Sequence, residues 1–316
     1  MPSVPAQLPQ STDQRGTSCR IRLAVTHGFP DYQLLDSGRG RKLERYGAMV
    51  VDRPEPQAMW SPRLSQDEWG LADGVFAGEE DAESGRWRFR GSPPESWPMR
   101  IKGVTVLCRF SAFRHLGVFP EQLPHWEWML EALGLCGSRG RPRLLNLFAY
   151  TGVASLLAAA AGAEVTHVDA SKKAIEWAKQ NQTRSGLQDA PIRWILDDAR
   201  KFAQREVRRG RTYHGILIDP PKFGRGPNGE VWDLFTDLPD LLRSCEPLLD
   251  RSCSFLILTV YAIRASFLSV DLLAREVLAA RGGSFESGEL AIREAEGERA
   301  LSASLFTRWA SDGLRL

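Results

Sequence analysis

The spacing of apolar positions divides the chain into two regions of different character. From Tyr32 to about Phe119, short apolar and aromatic runs alternate with Pro, Gly, Ser and Asp, which is typical of strands joined by turns. The clearest runs are at residues 47–52, 87–90 and 101–107. We therefore predict a small β-rich domain over residues 21–120, which is a candidate for binding the substrate. Residues 1–20, rich in Pro, Gln, Ser and Thr without any period, are predicted to be a mobile tail.

The remaining region, residues 121–316, alternates strand and helix patterns. Strands are predicted at 143–148, 164–168, 192–196, 213–218, 254–260, 285–291 and 300–309, and helices at 154–161, 172–185, 199–208, 233–249 and 266–280. Such alternation implies βαβ units with helices on both faces of a parallel sheet. Since no helix separates the last two strands, we expect them to form an antiparallel hairpin at the sheet edge. The fold class is predicted to be α/β, with a doubly wound, mostly parallel sheet of seven strands.

Composition narrows the class of protein. Of the 316 residues, 43% are hydrophobic and 25% are charged, as in ordinary globular proteins. The formal charge of +2 does not indicate a nucleic-acid binder, and it does not exclude one with local basic patches. The five cysteines are scattered without a CxxC pair, so a disulfide framework is not expected, and neither the cysteines nor the histidines have metal-ligand spacing. No apolar run approaches the ~20 residues of a membrane span, so we predict a cytoplasmic protein without membrane or metal.

The first strand of the α/β region ends in a turn with candidate ligand-binding residues. Ligands of open α/β sheets bind at the carboxyl ends of the strands. The turn supplies Asn146, Phe148, Tyr150, Thr151 and Gly152. A dinucleotide normally needs the pattern G-x-G-x-x-G, whereas this turn has a single glycine and two bulky aromatic residues. It therefore favours a nucleoside-like ligand, and a plain strand–helix connection is the alternative.

Acidic residues follow the next two strands. Asp169, succeeded by Ala170 and Ser171, stands where a carboxylate can accept both hydroxyls of a ribose. The third strand ends in Asp197, Asp198 and Ala199, where a carboxylate can meet an adenine amino group. Either acid alone is also a good helix N-cap. Together with the first turn, they predict a nucleoside site at three successive strand ends.

From about Leu144 to Thr259 the chain resembles the class I S-adenosylmethionine-dependent methyltransferases. It is most similar to the ribosomal RNA large-subunit methyltransferase family marked by Asn-Leu-Phe-x-Tyr-Thr-Gly and Asp-Pro-Pro-Lys-Phe. This resemblance implies a Rossmann-like sheet, S-adenosyl-L-methionine as cofactor and an RNA substrate, ribosomal RNA above all. An NAD-type oxidoreductase and a non-catalytic RNA-binding relative are the alternatives.

The second of these motifs follows the fourth strand, at the position that faces the substrate. It supplies the candidate catalytic residues Asp219, Pro220, Pro221, Lys222 and Phe223, with Asp219 also near the cofactor. The prolines stiffen the backbone and fix the direction of the carboxylate. In amino-methylating enzymes of this fold, a similar element accepts hydrogen bonds from an exocyclic amine, and its aromatic residue stacks on a flipped base. Here Lys222 takes the aromatic position, and a structural Pro-Pro turn is the alternative.

In one respect this chain differs from the family that it resembles. Related enzymes that make 5-methylcytosine carry a cysteine shortly after the fifth strand, because carbon methylation needs covalent activation of the base. Residues 258–263 of this chain contain no cysteine. We therefore expect an acceptor with its own lone pair: an amine, a ring nitrogen or a hydroxyl.

Two further stretches have alternative interpretations. Residues 117–122 resemble the family segment that helps to cover the cofactor, although a linker fits equally well. Arg86, Arg88 and Arg90 alternate with Trp87 and Phe89, which suggests a platform for base stacking and phosphate contact. A solvated charged face is the alternative for this stretch.

Overall fold

The computed structural model describes residues 21–78, 84–138, 140–261 and 265–314, so the predicted tail lies outside the described residues. The strands are β1 Ile21–Thr26, β2 Tyr32–Gly38, β3 Arg41–Tyr46, β4 Met49–Pro54, β5 Gly74–Ala77, β6 Arg86–Phe89, β7 Trp97–Ile101, β8 Val104–Cys108, β9 Arg143–Leu147, β10 Glu164–Asp169, β11 Ile192–Leu196, β12 Gly215–Ile218, β13 Phe223–Arg225, β14 Val231–Asp233, β15 Phe255–Tyr261, β16 Ser284–Arg293 and β17 Ala300–Ala310. The α-helices are α1 Gln66–Trp69, α2 Leu123–Gly137, α3 Val153–Ala160, α4 Lys172–Arg184, α5 Ala199–Arg208, α6 Leu234–Cys245 and α7 Phe267–Leu278, and 3₁₀ turns lie at Pro120–Gln122, Glu246–Leu248 and Ala279–Arg281.

Most of the second region forms one large sheet, in the order β1-β16-β17-β15-β12-β9-β10-β11. The five strands from β15 to β11 in this order run parallel, and β17 is antiparallel to both of its neighbours. One apolar cluster packs α2 and α3 on one face, and a second packs α5, α6 and α7 on the other. The doubly wound, mostly parallel α/β fold predicted from the sequence is confirmed.

The large sheet has eight strands where the sequence predicted seven, because β1 adds to it. β1 pairs in parallel with β16, from Ile21 opposite Ser287 to Thr26 opposite Ile292. The hairpin of β16 and β17 is therefore not at the edge, contrary to our expectation. An edge strand offers unpaired backbone groups, and β1 satisfies those of β16. No sequence pattern links residues so far apart, and we had expected 21–26 to lie in the small β-rich domain.

The β-rich region builds two smaller sheets. Five strands pair in the order β2-β3-β4-β5-β6, while β7 and β8 form a separate hairpin. We had predicted one strand over 101–107, but the chain reverses at Lys102 and Gly103, with φ of 45° and 92°. Two successive positive φ values define the tight turn that joins right-twisted strands. Lysine is not a strong signal for this turn, so the apolar run suggested one continuous strand.

The five-stranded sheet is joined to the large sheet through the turn that connects β16 and β17. The amide of Ala295 donates to the carbonyl of Leu34 at 2.7 Å. Ser37 Oγ donates to Glu294 Oε1 at 2.5 Å, with both side chains buried. These bonds seat the smaller sheet beside the large one, although the domain division at residue 120 stays a prediction.

The pairing of two cysteines differs from what the sequence predicted. Cys136, near the end of α2, forms a disulfide with Cys253, just before β15, with Cα atoms 5.7 Å apart. The expectation of no disulfide is therefore wrong for this pair. Its partners are separated by 117 residues, so only the fold brings them together. Cys108 and Cys245 are free and buried.

One further finding concerns helix length. Among the residues that the structure describes, no helix is both long and apolar enough to cross a lipid bilayer.

Candidate active site

A cavity of about 450 Å³ opens at the carboxyl ends of the central strands. Fourteen of the predicted site residues line it: Asn146, Phe148, Tyr150, Thr151, Gly152, Asp169, Ala170, Ser171, Asp197, Asp198, Ala199, Asp219, Pro220 and Pro221. Its volume is in the range of pockets for small ligands. The topology of parallel strands thus brings residues from four strand ends into one cleft, as the sequence predicted for such a sheet.

The turn after β9 has an unusual backbone. Phe148 and Tyr150 have φ of 55° and 49°, in the left-handed region that non-glycine residues rarely adopt. The amide of Ala149 donates to Val168 O at 3.1 Å, and the amide of Tyr150 donates to Asp169 Oδ2 at 2.8 Å. Such conformations persist only where surrounding contacts hold them, and they concentrate at functional sites.

Gly152, the N-cap of α3, is needed for two reasons. Its φ of 85° is left-handed, and a Cβ atom here would lie 3.1 Å from Cβ of Ala178 on α4. The glycine therefore lets the start of α3 approach α4 closely. Beneath it, Asn146 Nδ2 donates to Ser155 Oγ at 3.0 Å, which in turn bonds His167 Nδ1 at 3.0 Å. Burial lowers the pKa of His167 to about 3, so this imidazole is neutral and fixes the orientation of Asn146.

Asp169 connects two loops of the cavity. Its Oδ1 accepts from the amide of Ser171 at 2.8 Å, while its Oδ2 accepts from that of Tyr150. Burial raises the pKa of Asp169 in spite of these backbone donors. Ser171, rather than Asp169, caps α4, with its Oγ accepting from Ala174 N at 3.2 Å. Asp169 therefore does not serve as the N-cap of α4.

The two acids after β11 have structural partners as well. Asp198 caps α5 by accepting from the amide of Lys201 at 3.0 Å, which was the alternative interpretation for this residue. Asp197 accepts from the amide of Asp198 at 2.9 Å and pairs with the Arg205 guanidinium. Both acids still line the cavity, so a cap and a ligand contact are compatible here.

Asp219 lies directly after β12 at the inner wall of the cavity. Burial, aided by the charge of Glu121, raises the pKa of Asp219 to about 7. Gln122 Nε2 donates to Asp219 Oδ2 at 3.1 Å. The following turn is held by Trp232, whose Nε1 donates to Pro221 O at 2.7 Å and whose ring lies 4.9 Å from that of Phe148.

The structure does not bring Lys222 and Phe223 into the cavity wall with the other candidates. Phe223 begins β13 and is 62% exposed, and Lys222 Nζ lies 5.3 Å from its ring centre. The hairpin of β13 and β14 turns the chain towards solvent after Pro221. Their role in catalysis stays a prediction.

The segment before α2 contributes more than the sequence indicated. Phe113, His115, Gly117, Phe119, Glu121 and Gln122 all line the cavity. Thr151 Oγ1 donates to the carbonyl of Gly117, which joins this segment to the turn after β9. Burial lowers the pKa of His115 well below its usual value, with the charges of Arg53 and Arg114 acting in the same direction. Within 117–122, the linker interpretation gives way to that of a cavity wall.

Sequence reasoning missed several other lining residues, among them His125, Trp126, Trp232, Thr259, Tyr261 and Ser304. The aromatic residues Trp126, Trp232 and Tyr261 come from three separate elements, α2, β14 and β15, so only the fold brings them to one cavity.

The arginines and aromatic residues of β6 do not form a joint platform. Trp87 and Phe89 share one face of the strand, where their rings stack 6.5 Å apart and both contact Phe110. Successive side chains of a strand point to opposite faces. The alternating Arg86 and Arg88, both exposed, therefore lie on the other face.

Comparison with known proteins shows the family of this chain. A family model described as "Conserved hypothetical protein 95" matches residues 130–230. The crystal structure of an S-adenosylmethionine-dependent methyltransferase from Agrobacterium tumefaciens matches with a TM-score of 0.88 at 54% identity, covering 91% of this chain and 93% of that one.

Two curated relatives share shorter segments. Ribosomal RNA large subunit methyltransferase K/L of Shewanella baltica is 41% identical over 35% of this chain and 16% of its own length. Ribosomal RNA large subunit methyltransferase I of Pseudoalteromonas atlantica is 24% identical over 66% of this chain and 55% of its own length. The chain thus spans about a sixth of the first relative and about half of the second. Because the match to the Agrobacterium structure covers nearly the full length of both chains at 54% identity, this chain belongs to the S-adenosylmethionine-dependent methyltransferases.

Proposed function

We propose that this methyltransferase modifies RNA, with ribosomal RNA as its substrate and with Asp219-Pro220-Pro221 at the acceptor site. The observation that carries this proposal is the position of Asp219, whose carboxyl group lines the cofactor cavity at the end of β12 and has a pKa of about 7. Such a group can accept a hydrogen bond or a proton from an acceptor at neutral pH. The names of the two curated relatives support ribosomal RNA as the substrate.

In methyl transfer the protein has three tasks: it aligns the acceptor with the methyl group, it excludes water from the site, and it takes up one proton from the acceptor. When bound, the cofactor would supply a methyl group on a sulfonium sulfur, with a neutral thioether as the leaving group when the acceptor's lone pair bonds to the methyl carbon. Asp169 and the turn after β9 are placed to bind the nucleoside part, since they line the same wall. Phe148, Trp232 and Phe119 give this cavity apolar surfaces that limit access of water. Asp219 orients the acceptor and takes its proton.

The acceptor is proposed to be an amine, a ring nitrogen or a hydroxyl. No cysteine of the described residues lines the cavity, and burial raises the pKa values of Cys108 and Cys245. At Cys108 the charge of Arg53 opposes the effect of burial without overcoming it, and a thiol whose pKa is raised is a poor nucleophile. An acceptor with its own lone pair needs no covalent activation.

The test is mass spectrometry of ribosomal RNA nucleosides from cells with and without the gene. We expect one methylated nucleoside to disappear with the gene, to return with the wild-type gene and not to return with Asp219→Ala. Asp189→Ala, an exposed aspartate outside the cavity wall, serves as the control and should restore the modification. Identical nucleoside profiles in all strains would contradict ribosomal RNA as the substrate.

A further inference from the structure

Two consecutive side chains of the 3₁₀ turn at Pro120–Gln122 reach the acceptor end of the cavity. Gln122 donates to Asp219, as described, and the carboxyl group of Glu121 lines the same cavity while its residue is only 7% exposed. Glu121 has no role in the function proposed so far. The turn therefore adds a buried acidic residue to the cavity that Asp219 lines, next in sequence to the residue that donates to Asp219.

Glu121 lacks a cation of its own. Within the described ranges, no Lys, Arg or His nitrogen lies within 4.0 Å of its carboxylate. The nearby cations have other partners: Lys42 Nζ is 3.2 Å from Glu55 Oε2, and Arg53 Nε donates to Glu44 Oε2 at 2.8 Å. Charge on Glu121 is thus not neutralised by an ion pair.

A second, small cavity of about 20 Å³ lies behind Glu121, which lines both spaces. The titratable and charged groups that share its wall are Lys42, Tyr46, Arg53, Arg114, His115 and Tyr261. Arg114 donates to the Tyr261 hydroxyl at 2.8 Å, and His115 is neutral at pH 7 because its pKa is lowered. Burial raises the pKa of Glu121. The positive charges of Lys42 and Arg53 oppose this rise, and the negative charge of Glu44 adds to it.

Two carboxyl groups that are withdrawn from solvent and line one cavity cannot both be ionised at low cost, because each charge opposes the other. Such a pair loses its protons in two separate steps that belong to the pair. The charge of Glu121 raises the pKa of Asp219 in this way, in addition to burial. Gln122 works in the opposite direction, since a donor stabilises the ionised form.

We propose that Glu121 and Asp219 form a carboxyl pair that holds a single proton at neutral pH, and that this pair takes up the proton lost by the methyl acceptor. This role rests on the proposed function. As the bond from the acceptor atom to the methyl carbon forms and the carbon–sulfur bond breaks, the N–H or O–H proton passes to Asp219, which is ionised in the form of the pair in which Glu121 holds the shared proton. The pair is then neutral, and it returns one proton to solvent after the product leaves. Glu121 acts through Asp219 and is a positioning residue.

The experiment is a pH titration of the whole protein labelled with ¹³C at the aspartate carboxyl carbons, followed by NMR. The Asp219 resonance is identified by its loss in Asp219→Asn. In the wild type we expect a midpoint near pH 7. In Glu121→Gln the midpoint should fall by about one pH unit or more, because a buried like charge is removed.

Two further variants keep the test decisive. Gln122→Leu removes the hydrogen-bond donor to Asp219 and should raise the midpoint. Glu121→Gln and Gln122→Leu are therefore expected to move the midpoint in opposite directions. A general loosening of the turn would move it in the same direction in both variants. Glu206→Gln removes an equally buried carboxylate on α5, outside the cavity wall, and should leave the midpoint unchanged. A midpoint near 4 in the wild type, or one unmoved by Glu121→Gln, would overturn the carboxyl pair.

This titration needs no RNA. A confirmed pair with unmodified ribosomal RNA would therefore refute the substrate alone, whereas a failed titration with modified RNA would refute the pair alone.

Discussion

At the scale of a single residue, Asp169 combines an observed contact with a proposed one. Its carboxylate accepts from the amides of Tyr150 and Ser171 at the cavity wall, and we propose that it also binds the ribose hydroxyls of the cofactor. We predict that Asp169→Ala weakens S-adenosylhomocysteine binding by roughly 1.5–3 kcal/mol, the cost of charged hydrogen bonds left unmade. Isothermal titration calorimetry measures this, with Asp189→Ala as the unaffected control. Tighter binding of NADH than of S-adenosylhomocysteine by the wild type would contradict the assignment.

Substitution of Asp219 should affect methyl transfer without affecting cofactor binding. If it orients the acceptor, Asp219→Ala abolishes methyl transfer but changes the affinity for S-adenosylhomocysteine by at most about threefold, or ~0.6 kcal/mol. Transfer of labelled methyl groups to ribosomal RNA and calorimetry on the same preparation give both values. An equal loss of transfer and affinity would place Asp219 in the cofactor shell or in the fold.

The raised pKa of Asp219 also predicts a pH-dependent loss of stability. In the unfolded chain this carboxyl ionises near its usual pKa of 3.8, whereas in the folded protein it holds its proton up to about pH 7. As pH rises from about 4 to 7, only the unfolded state gains from ionisation, so the folded state loses stability across this window. The full difference corresponds to roughly 4 kcal/mol.

Asp219→Asn removes this cost. The variant should melt at a higher temperature than the wild type at pH 8, with a gain only about a quarter as large at pH 4.5, as measured by calorimetry. A gain that is equal at both pH values would show that ionisation of Asp219 is not its source.

At the scale of elements, the wall formed by residues 117–122 depends on one glycine. Gly117 has φ of 103°, and a Cβ atom there would lie 2.5 Å from Trp177 Cζ2 and 3.2 Å from Leu107 O. Gly117→Ala should therefore displace this segment and, through the bond from Thr151 to Gly117 O, the cofactor turn. We expect a loss of stability and at least about a tenfold loss of affinity for S-adenosylhomocysteine.

Gly103→Ala is the matched control for this change. Gly103 is also left-handed, with φ of 92°, but a Cβ atom there would meet nothing within 4 Å. Its substitution should cost about 1–2 kcal/mol of backbone strain and leave cofactor affinity unchanged. Thermal melting and calorimetry distinguish the two variants. If both lose the same affinity, strain in the backbone rather than the clash at Trp177 is responsible.

The elements that sequence predicted well carry local signals. Helix α5 has the predicted bounds, 199–208, because an aspartate caps it, and α4 begins after its predicted cap, Ser171. Helix α2 was not predicted at all: it follows the wall segment, and its first turn contains a proline. The disulfide and the pairing of β1 depend on contacts between distant residues. Such contacts leave no local pattern in a single sequence.

The candidate site follows the same division. The residues at strand ends were accessible to sequence reasoning, since a parallel sheet always brings such ends together. Glu121 was indicated only as part of the segment 117–122, because no pattern in the sequence shows that a 3₁₀ turn here reaches the cavity. Tyr261 ends the parallel strand β15, and the absence of a cysteine there gave no reason to single out this tyrosine. Of the two alternatives left open, the membership in the methyltransferases displaces both the NAD-type oxidoreductase and the non-catalytic relative.

At the scale of the whole molecule, the distribution of cysteines predicts catalysis without a thiol nucleophile. Cys108, Cys136, Cys245 and Cys253 all lie outside the cavity wall, two of them in the disulfide. Replacing every cysteine by serine or alanine should preserve methyl transfer wherever the protein stays folded. Loss of the disulfide should lower stability by about 2–4 kcal/mol.

An RNA substrate that contains 5-fluorocytosine provides the complementary measurement. We expect no covalent adduct on a denaturing gel. An adduct that disappears with a single cysteine substitution would show that the enzyme methylates carbon 5 of cytosine.

The position of β1 affects how the molecule is made. During synthesis on the ribosome, Ile21 emerges long before its partner Ser287, whereas the strands of the five-stranded sheet all come from residues 32–89. That sheet can form while the nascent chain is still growing, but the large sheet cannot be completed until β16 has left the exit tunnel. Until then neither edge of β1 is paired, whereas one edge is paired in the finished sheet, so other chains can capture this segment. Translation and chaperone supply, rather than the stability of the finished enzyme, should therefore govern its yield.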